Sequence, residues 1–232
     1  AAELPETADA LVLANEWLDN VPVDVVQQAA DGPRLVEVDR AGRQRLGAAP
    51  DPDDLDWLAR WWPLRAEGER AEVGRTRDEA WATVVQRLPR GVAVAVDYAH
   101  TRGSRPPGAT LAGYRRGRLV DPVPDGSCDL TAHVALDACA AAGEAAGATE
   151  TLLTTQAEVL PRLGVRPTRP DPALARDAPP AYLAALRNAG EAAELTDPGG
   201  LGGFHWLVQS TGGTPLPLLR SSQRPERTGR VR

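Results

Sequence analysis

The chain of 232 residues has no Lys, no Met and no Ile, a single Phe, and two cysteines, Cys128 and Cys139. Each shortage closes off a class of protein. Two thiols are too few for a disulfide framework or a cysteine-based metal cluster, and reduced thiols are expected. No apolar run approaches the ~20 residues of a membrane-spanning helix, so no membrane partner is expected. The N-terminus lacks the basic-then-apolar pattern of a secretory leader, and the expected location is the cytoplasm. A natural chain starts with Met, so its absence makes a fragment or processed product the expectation. Lys, Met and Ile have AT-rich codons, and their joint absence fits a GC-rich genome. The basic residues are therefore all Arg. They number 26 against 32 acidic residues, and a net charge of -6 gives no nucleic-acid footprint.

What is present reads as α/β. Residues 11–14 and 92–97 (VAVAVD) are continuous apolar runs, the pattern of strands covered on both faces. Weaker strand patterns lie at 152–154 and 204–210. Residues 23–28 and 34–39 flank Asp31, Gly32 and Pro33, which suggests a hairpin with three to five loop residues. Helical spacing is visible over 54–62, which stops at Pro63. Thr76 and Glu79 form a capping-box pattern that would open a helix running to about Leu88. Two Ala-rich stretches, 132–146 and 182–193, also read as helices. Strand and helix in alternation predict a sheet with crossover helices. Residues 166–180 are expected as a long surface loop and 221–232 as a disordered basic tail.

In an open α/β sheet, ligands gather at the carboxyl ends of the strands. The stretch DALVLANEWLDNVPVDVV drives an apolar run into Asn15, Glu16 and Asp19, with Pro22 close behind. The second run ends in Asp97 and Tyr98, with His100 following. A third polar cluster, DGSCDLTAHVALD, carries Asp129, Thr131 and His133. Each has a plain structural explanation: Asn15, Asp19 or Thr131 as a helix cap, Asp97 as a partner for loop amides. Three such clusters at strand ends shift the balance towards a site.

These motifs occur in one order: LVLANEWLDNVPV, then VAVDYAHTRGSRPPGATLAGYRRGRLVDPVPDGSCDLTAHV, then TTQAEVLPRLGV. The series resembles that of the mitochondrial complex I assembly methyltransferase family and its bacterial relatives, over residues 10–211. The resemblance implies the carboxyl-terminal part, strands four to seven, of a Rossmann-like class I methyltransferase sheet, with S-adenosylmethionine (SAM) as cofactor. It implies a protein substrate and, from the mitochondrial member, an arginine acceptor. Residues 1–220 would form one domain that lacks the N-terminal SAM loop, with 23–75 as an inserted hairpin and helix. Asn15, Glu16, Asp19 and Pro22 would form the loop after strand four. Asp97 and Tyr98 would end strand five, and Asp129, Thr131 and His133 match the third motif.

The sequence departs from the family pattern in places. Ala99 stands where a glycine is usual, and Ala135 where an acidic residue is often found. No glycine-rich loop precedes Asp9. The one dense glycine cluster, at Gly199, Gly200, Gly202 and Gly203, reads better as punctuation after a helix.

Methyl transfer from a sulfonium is an in-line displacement that depends mainly on positioning. A guanidinium acceptor suits forked pairing with carboxylates. Glu16 and Asp19, three apart, would share one side of a helical turn and orient the acceptor, with Asn15 at the sulfonium end. Asp97, Tyr98, Asp129 and Thr131 would line the pocket, and His133 would be accessory. No metal is implied. Strand four would present an uncovered edge, so self-association or a separate N-terminal segment is expected. A competing reading is a non-catalytic assembly module that keeps the fold. A hydrolase is disfavoured, because no Gly-x-Ser-x-Gly elbow is present.

Overall fold

The computed structural model describes residues 9–106 and 108–216. In chain order the first elements are β1 (Ala10–Asn15), β2 (Asp24–Ala29), β3 (Gly32–Val38), β4 (Gln44–Leu46), α1 (Pro52–Trp61), β5 (Arg70–Val73) and α2 (Arg75–Gln86). Then follow β6 (Gly91–Asp97), β7 (Ala99–His100), β8 (Ala112–Arg115), β9 (Arg118–Val120), β10 (Asp129–Thr131), β11 (Val134–Ala135) and α3 (Leu136–Ala145). The chain continues through β12 (Glu150–Thr155), α4 (Gln156–Arg162), α5 (Ala173–Asp177), α6 (Pro179–Thr196) and β13 (His205–Thr211).

The main sheet has the order β1-β6-β13-β12. β1 and β6 are parallel, whereas β13 runs antiparallel to both of its neighbours. Strand alternation explains the layering. On β6, Ala93 and Ala95 face α2 and α3, and their small side chains let the buried Trp81 lie close to the sheet. Val94 and Val96 face the other way and pack with Phe204, Val208 and Leu216. Residues 24–73 form a second sheet, β4-β3-β2-β5, together with α1. That unit docks on the main body through Val26, Trp57, Trp62 and Val73 against Ala135 and Ala138 of β11 and α3.

Several expectations change on contact with tertiary structure. β1 is covered on one face, where Ala10, Val12 and Ala14 meet the core. On the other face Leu11 and Leu13 are 73% and 65% exposed, so among the described residues β1 is not a doubly covered strand. The Thr76–Glu79 capping box does not form. α2 starts at Arg75 with Gly74 as its N-cap. Thr76 instead donates to the Pro22 carbonyl at 2.6 Å, and Glu79 pairs with Arg75 at 3.0 Å. The hairpin loop is two residues rather than three to five, because Ala29 pairs with Gly32 and Pro33 lies within β3 opposite Gln28. The helix expected from 132 begins at Leu136, because Val134 and Ala135 are drawn into β11 and the two residues before them link it to β10. The expected loop at 166–180 carries the short α5. The tail at 221–232 lies outside the described residues.

α3 packs on β13 through a polar contact set in the core. Gln209 is fully buried, accepts from the Trp81 indole at 2.7 Å and donates to the Ala140 carbonyl at 2.8 Å. Gly143 makes this approach possible: a Cβ there would stand 1.9 Å from Gln209 Oε1 and 2.9 Å from the Trp81 indole nitrogen. Gly143→Ala is expected to destabilise by ~1–3 kcal/mol through overpacking, despite the better helix propensity of Ala. Chemical denaturation measures this, and an unchanged or raised midpoint would contradict the tight contact.

Candidate active site

At the carboxyl ends of β1 and β6 the chain gathers Asn15, Glu16, Asp97 and Tyr98. β13, entering antiparallel, brings Phe204 and His205 to the same rim, since His205 pairs with Asp97. Glu16 adopts a left-handed backbone at φ 46°, unusual for a residue with a side chain. Its amide still donates to the Val96 carbonyl at 2.8 Å, so the ladder runs to the last residue before the chain turns. Glu16 and Asn15 are both exposed, and the Asn15 amide donates to the Glu16 carboxylate at 3.4 Å.

The loop after β1 is held from below by buried charges. Asp97 is fully buried, and its Oδ2 accepts the amides of Leu18 at 3.0 Å and Asp19 at 3.3 Å. Asp19 turns inward, accepting from the Thr131 hydroxyl and from the Asn20 amide, each at 2.8 Å. Glu16 and Asp19 therefore do not share one open side. The segment is a tight turn, with Asn20 N donating to the Trp17 carbonyl and Val21 N to that of Leu18, and it buries one carboxylate while exposing the other. Asp97 likewise lies beneath the rim rather than lining an open pocket. Thr131 caps no helix; from the end of β10 it ties the third motif to the first.

Arg77 completes this layer. It is 2% exposed and donates to four carbonyls: Val21 at 3.1 Å, Ala132 at 3.1 Å, His133 at 2.9 Å and Asp19 at 2.8 Å. Burial pulls its pKa below the usual arginine value, opposed by nearby acids including Asp97, Glu72 and Asp19. The sequence reading missed Arg77. The available signal was its spacing, since Arg77, Trp81, Val84 and Leu88 fall on one apolar helical stripe. Glu72, also missed, is buried on β5, where it accepts the Leu111 amide at 2.8 Å and also pairs with Thr110. Burial raises its pKa and those amides oppose the rise.

Above this layer sits an aromatic shelf. Tyr98, 43% exposed, packs on Phe204 with ring centroids 4.2 Å apart and on His133 at 6.0 Å with near-parallel planes. Partial burial, then the Glu16 carboxylate, hold the Tyr98 hydroxyl above its ordinary pKa, which places Glu16 in the field of that ring. The protein's three histidines meet around this shelf. His100 lies 6.4 Å from His133, ring to ring, and its pKa falls to about 3 through burial and the Arg105 guanidinium. Partial burial and the field of His205 also lower the pKa of His133. His205 is lowered by burial as well, so all three rings are neutral at pH 7. Asp129 stands apart, exposed at the start of β10 in the small β10-β8-β9 sheet. The glycine cluster closes α6: Asp197 accepts the amides of Gly199, Gly200 and Gly202 at 3.0, 3.0 and 2.8 Å.

A sheet with one antiparallel strand inserted beside two parallel ones, and polar residues collected at the carboxyl ends of the parallel pair, defines a Rossmann-like ligand-binding domain. Residues 1–154 match the family described as "Putative S-adenosyl-L-methionine-dependent methyltransferase", and the chain belongs to that family. It is also similar to two solved structures of COG1565 superfamily proteins from Burkholderia thailandensis. One, an uncharacterized protein, is 29% identical with a TM-score of 0.74, covering 92% of this chain and 58% of its own. The other, bound to S-adenosyl-homocysteine, is 28% identical with a TM-score of 0.73, covering 93% and 57%. This chain thus spans less than two thirds of the length of either. No curated protein matches it. No helix among the described residues is long and apolar enough to cross a membrane.

The buried Asp97 carboxyl gives the site a pH signature. Burial, then the Asp19 carboxylate, push its pKa up to about 7, against the pull of the two amides and Arg77. The unfolded value is about 3.9. Folding therefore takes up a proton between roughly pH 4 and 7, and this contribution to stability is full below pH 4 and lost as pH rises to about 7. Asp97→Asn is expected to gain stability relative to wild type between pH 4.5 and pH 8, by at most ~4 kcal/mol. Denaturation midpoints of both proteins at the two pH values provide the measurement. A difference that stays constant with pH would mean Asp97 is ionised throughout.

Proposed function

We propose that this chain supplies the acceptor side of a SAM-dependent protein methyltransferase active site, with an arginine as acceptor. The observation that carries this reading is the pair of exposed polar residues, Asn15 and Glu16, beside the Tyr98 shelf at the carboxyl end of the parallel strands. The order β1-β6-β13-β12, with β13 reversed, is the order of strands four, five, seven and six in a class I methyltransferase sheet, and this supports the reading.

The described residues fit one side of the cofactor. Asn15 offers its side-chain amide oxygen to the positively charged sulfonium end. No glycine directly follows β1, β6 or β12, and Gly199, Gly200 and Gly202 are committed to closing α6, so these residues offer no glycine loop for the adenosine end. When bound, SAM supplies an electrophilic methyl that passes to the acceptor nitrogen as its bond to sulfur breaks. Glu16 would hold the guanidinium by forked hydrogen bonds, fixing one nitrogen towards the methyl. The Tyr98 ring would lie against the guanidinium plane, a cation–π contact worth ~0.5–2 kcal/mol. His133, neutral and stacked on Tyr98, would take the proton that the methylated nitrogen sheds, in an accessory role. Asp19, Asp97 and Thr131 would act through the loop they hold.

A completed site needs more than these residues. β1 pairs with β6 on one side only among the described residues, and its Leu11 and Leu13 are exposed. A further strand-bearing segment would cover both.

Glu16→Gln in the intact protein is expected to lower methyl transfer by at least ~100-fold with the fold unchanged, since the carboxylate is exposed and its amide bonds only through backbone. Radiolabelled methyl transfer alongside a thermal melt separates the two effects. Full turnover, or loss of folding, would make Glu16 a structural residue. Residues 1–232 alone are expected to bind SAM weakly. Calorimetry finding tight one-to-one binding to a monomer would overturn the need for a further segment.

A further inference from the structure

Away from the rim, unpaired positive charge concentrates where α1 ends. A cavity of about 510 Å3 is lined by Arg60, Arg65, Arg70, Arg102 and Arg105 around Trp61. Part of this cluster has a structural explanation. The last carbonyls of a helix need donors. Arg102 donates to that of Arg60 and Arg105 to that of Trp61 at 3.0 Å. Arg105 is also ion-paired with Asp137 at 2.6 Å. Arg70 is bound at 2.7 Å to two neutral partners, Gln27 and Gln44.

Capping accounts for positions, but it leaves charge over. Among the described residues Arg60, Arg65, Arg70 and Arg102 form no ion pair with a carboxylate. The one acidic lining residue, Glu69, has an oxygen taken by the amides of Arg65 at 2.6 Å and Ala66 at 3.1 Å, and its carboxylate also lies in the field of the Arg65 guanidinium, so it offsets at most one of these charges. Two guanidiniums are also held in place without being neutralised. Arg60 and Arg102 both lie over the Trp61 ring, 4.9 and 5.0 Å from its centroid. Cations stacked on an indole keep their outward N–H groups free for forked pairing with carboxylates. Pro63, Leu64 and Pro106 add an apolar wall.

We infer that this cavity docks an acidic, extended segment of a partner protein. Three features favour that occupant over other anions. The guanidiniums are spread around the cavity, which matches carboxylates dispersed along a chain better than one compact dianion. The cavity opens at the carboxyl end of α1, where the helix dipole is negative and opposes every anion, a compact dianion more strongly than single carboxylates spaced along a chain. The whole protein carries -6, so a long polyanion such as a nucleic acid would be repelled once it left the cavity. The inference stands apart from the methyl-transfer reading, because binding here needs neither cofactor nor turnover.

The test is fluorescence anisotropy of a labelled oligo-glutamate peptide with the intact protein at low salt, against an oligo-glutamine control. The glutamate peptide should bind and the glutamine peptide should not. Arg60→Glu with Arg65→Glu should weaken binding at least tenfold. Arg60→Gln with Arg65→Gln should weaken it less, and serves if charge reversal disturbs the fold. Arg176→Glu with Arg187→Glu, the same charge change on exposed parts of α5 and α6, should leave affinity within about twofold. Equal weakening by both reversal pairs would reduce the effect to overall charge and overturn the assignment. Displacement of the peptide by equimolar inorganic phosphate, or tighter binding of a single-stranded oligonucleotide, would overturn it in favour of a small-anion or nucleic-acid site.

Discussion

A single buried guanidinium holds together the loops at the carboxyl ends of β1 and β6. Arg77 enters from α2 and donates to carbonyls in two separate loops, at Asp19 and Val21 after β1 and at Ala132 and His133 before β11. Irregular backbone cannot satisfy its own carbonyls in a dry interior, and each one left unpaired costs ~1–3 kcal/mol. The planar fork of Arg reaches several acceptors in fixed directions, which the point charge of Lys does not. The buried charge is in turn offset by acids, among them Asp97 and Asp19. Removing one member of such a set leaves the others uncompensated, so the cluster acts as a unit.

That arrangement divides the polar residues of the rim into two groups. Asp97, Asp19, Thr131 and Glu72 have partners inside the protein and hold loops. Asn15, Glu16 and the Tyr98 edge face solvent. A ligand-facing group is effective only when the backbone carrying it is fixed by a supporting shell. Here the supporting shell includes two buried carboxylates, Asp97 and Glu72, whose charged forms are disfavoured by desolvation. The protein thus trades some stability at neutral pH for a fixed loop, a compromise common at functional sites.

The same geometry explains the neutral histidines. His100 is packed edge-on against Trp62 at 4.6 Å and sits 2.5 Å, Nδ1 to Nη1, from Arg105. A cation there would face both a dry surrounding and a fixed positive neighbour. His100 therefore serves as a wall between the Arg and Trp cluster at the end of α1 and the shelf formed by His133, Tyr98 and Phe204.

Sequence alone determined the periodic features and the chemistry at their ends. The apolar runs of β1 and β6 are legible because strands in a layered sheet must be apolar. The polar residues after them are legible because the burial requirement ends where the strand ends. It could not show which of those polar residues look inward. Glu16 and Asp19 are alike in type and three apart. Only the turn through Trp17 and Leu18, with Thr131 arriving from β10 112 residues later in the chain, makes one an exposed carboxylate and the other an internal acceptor. The capping-box letters at Thr76 and Glu79 were overridden in the same way, because the Pro22 carbonyl, 54 residues away, is the nearer demand on the Thr76 hydroxyl. Arg77 is the extreme case. Its type suggests a solvated helix face, and only its place in line with Trp81 and the convergence of two distant loops make it the common donor of both. Local pattern decides where an element runs, while the pairing of buried polar groups is set by distances that exist only once the chain has folded.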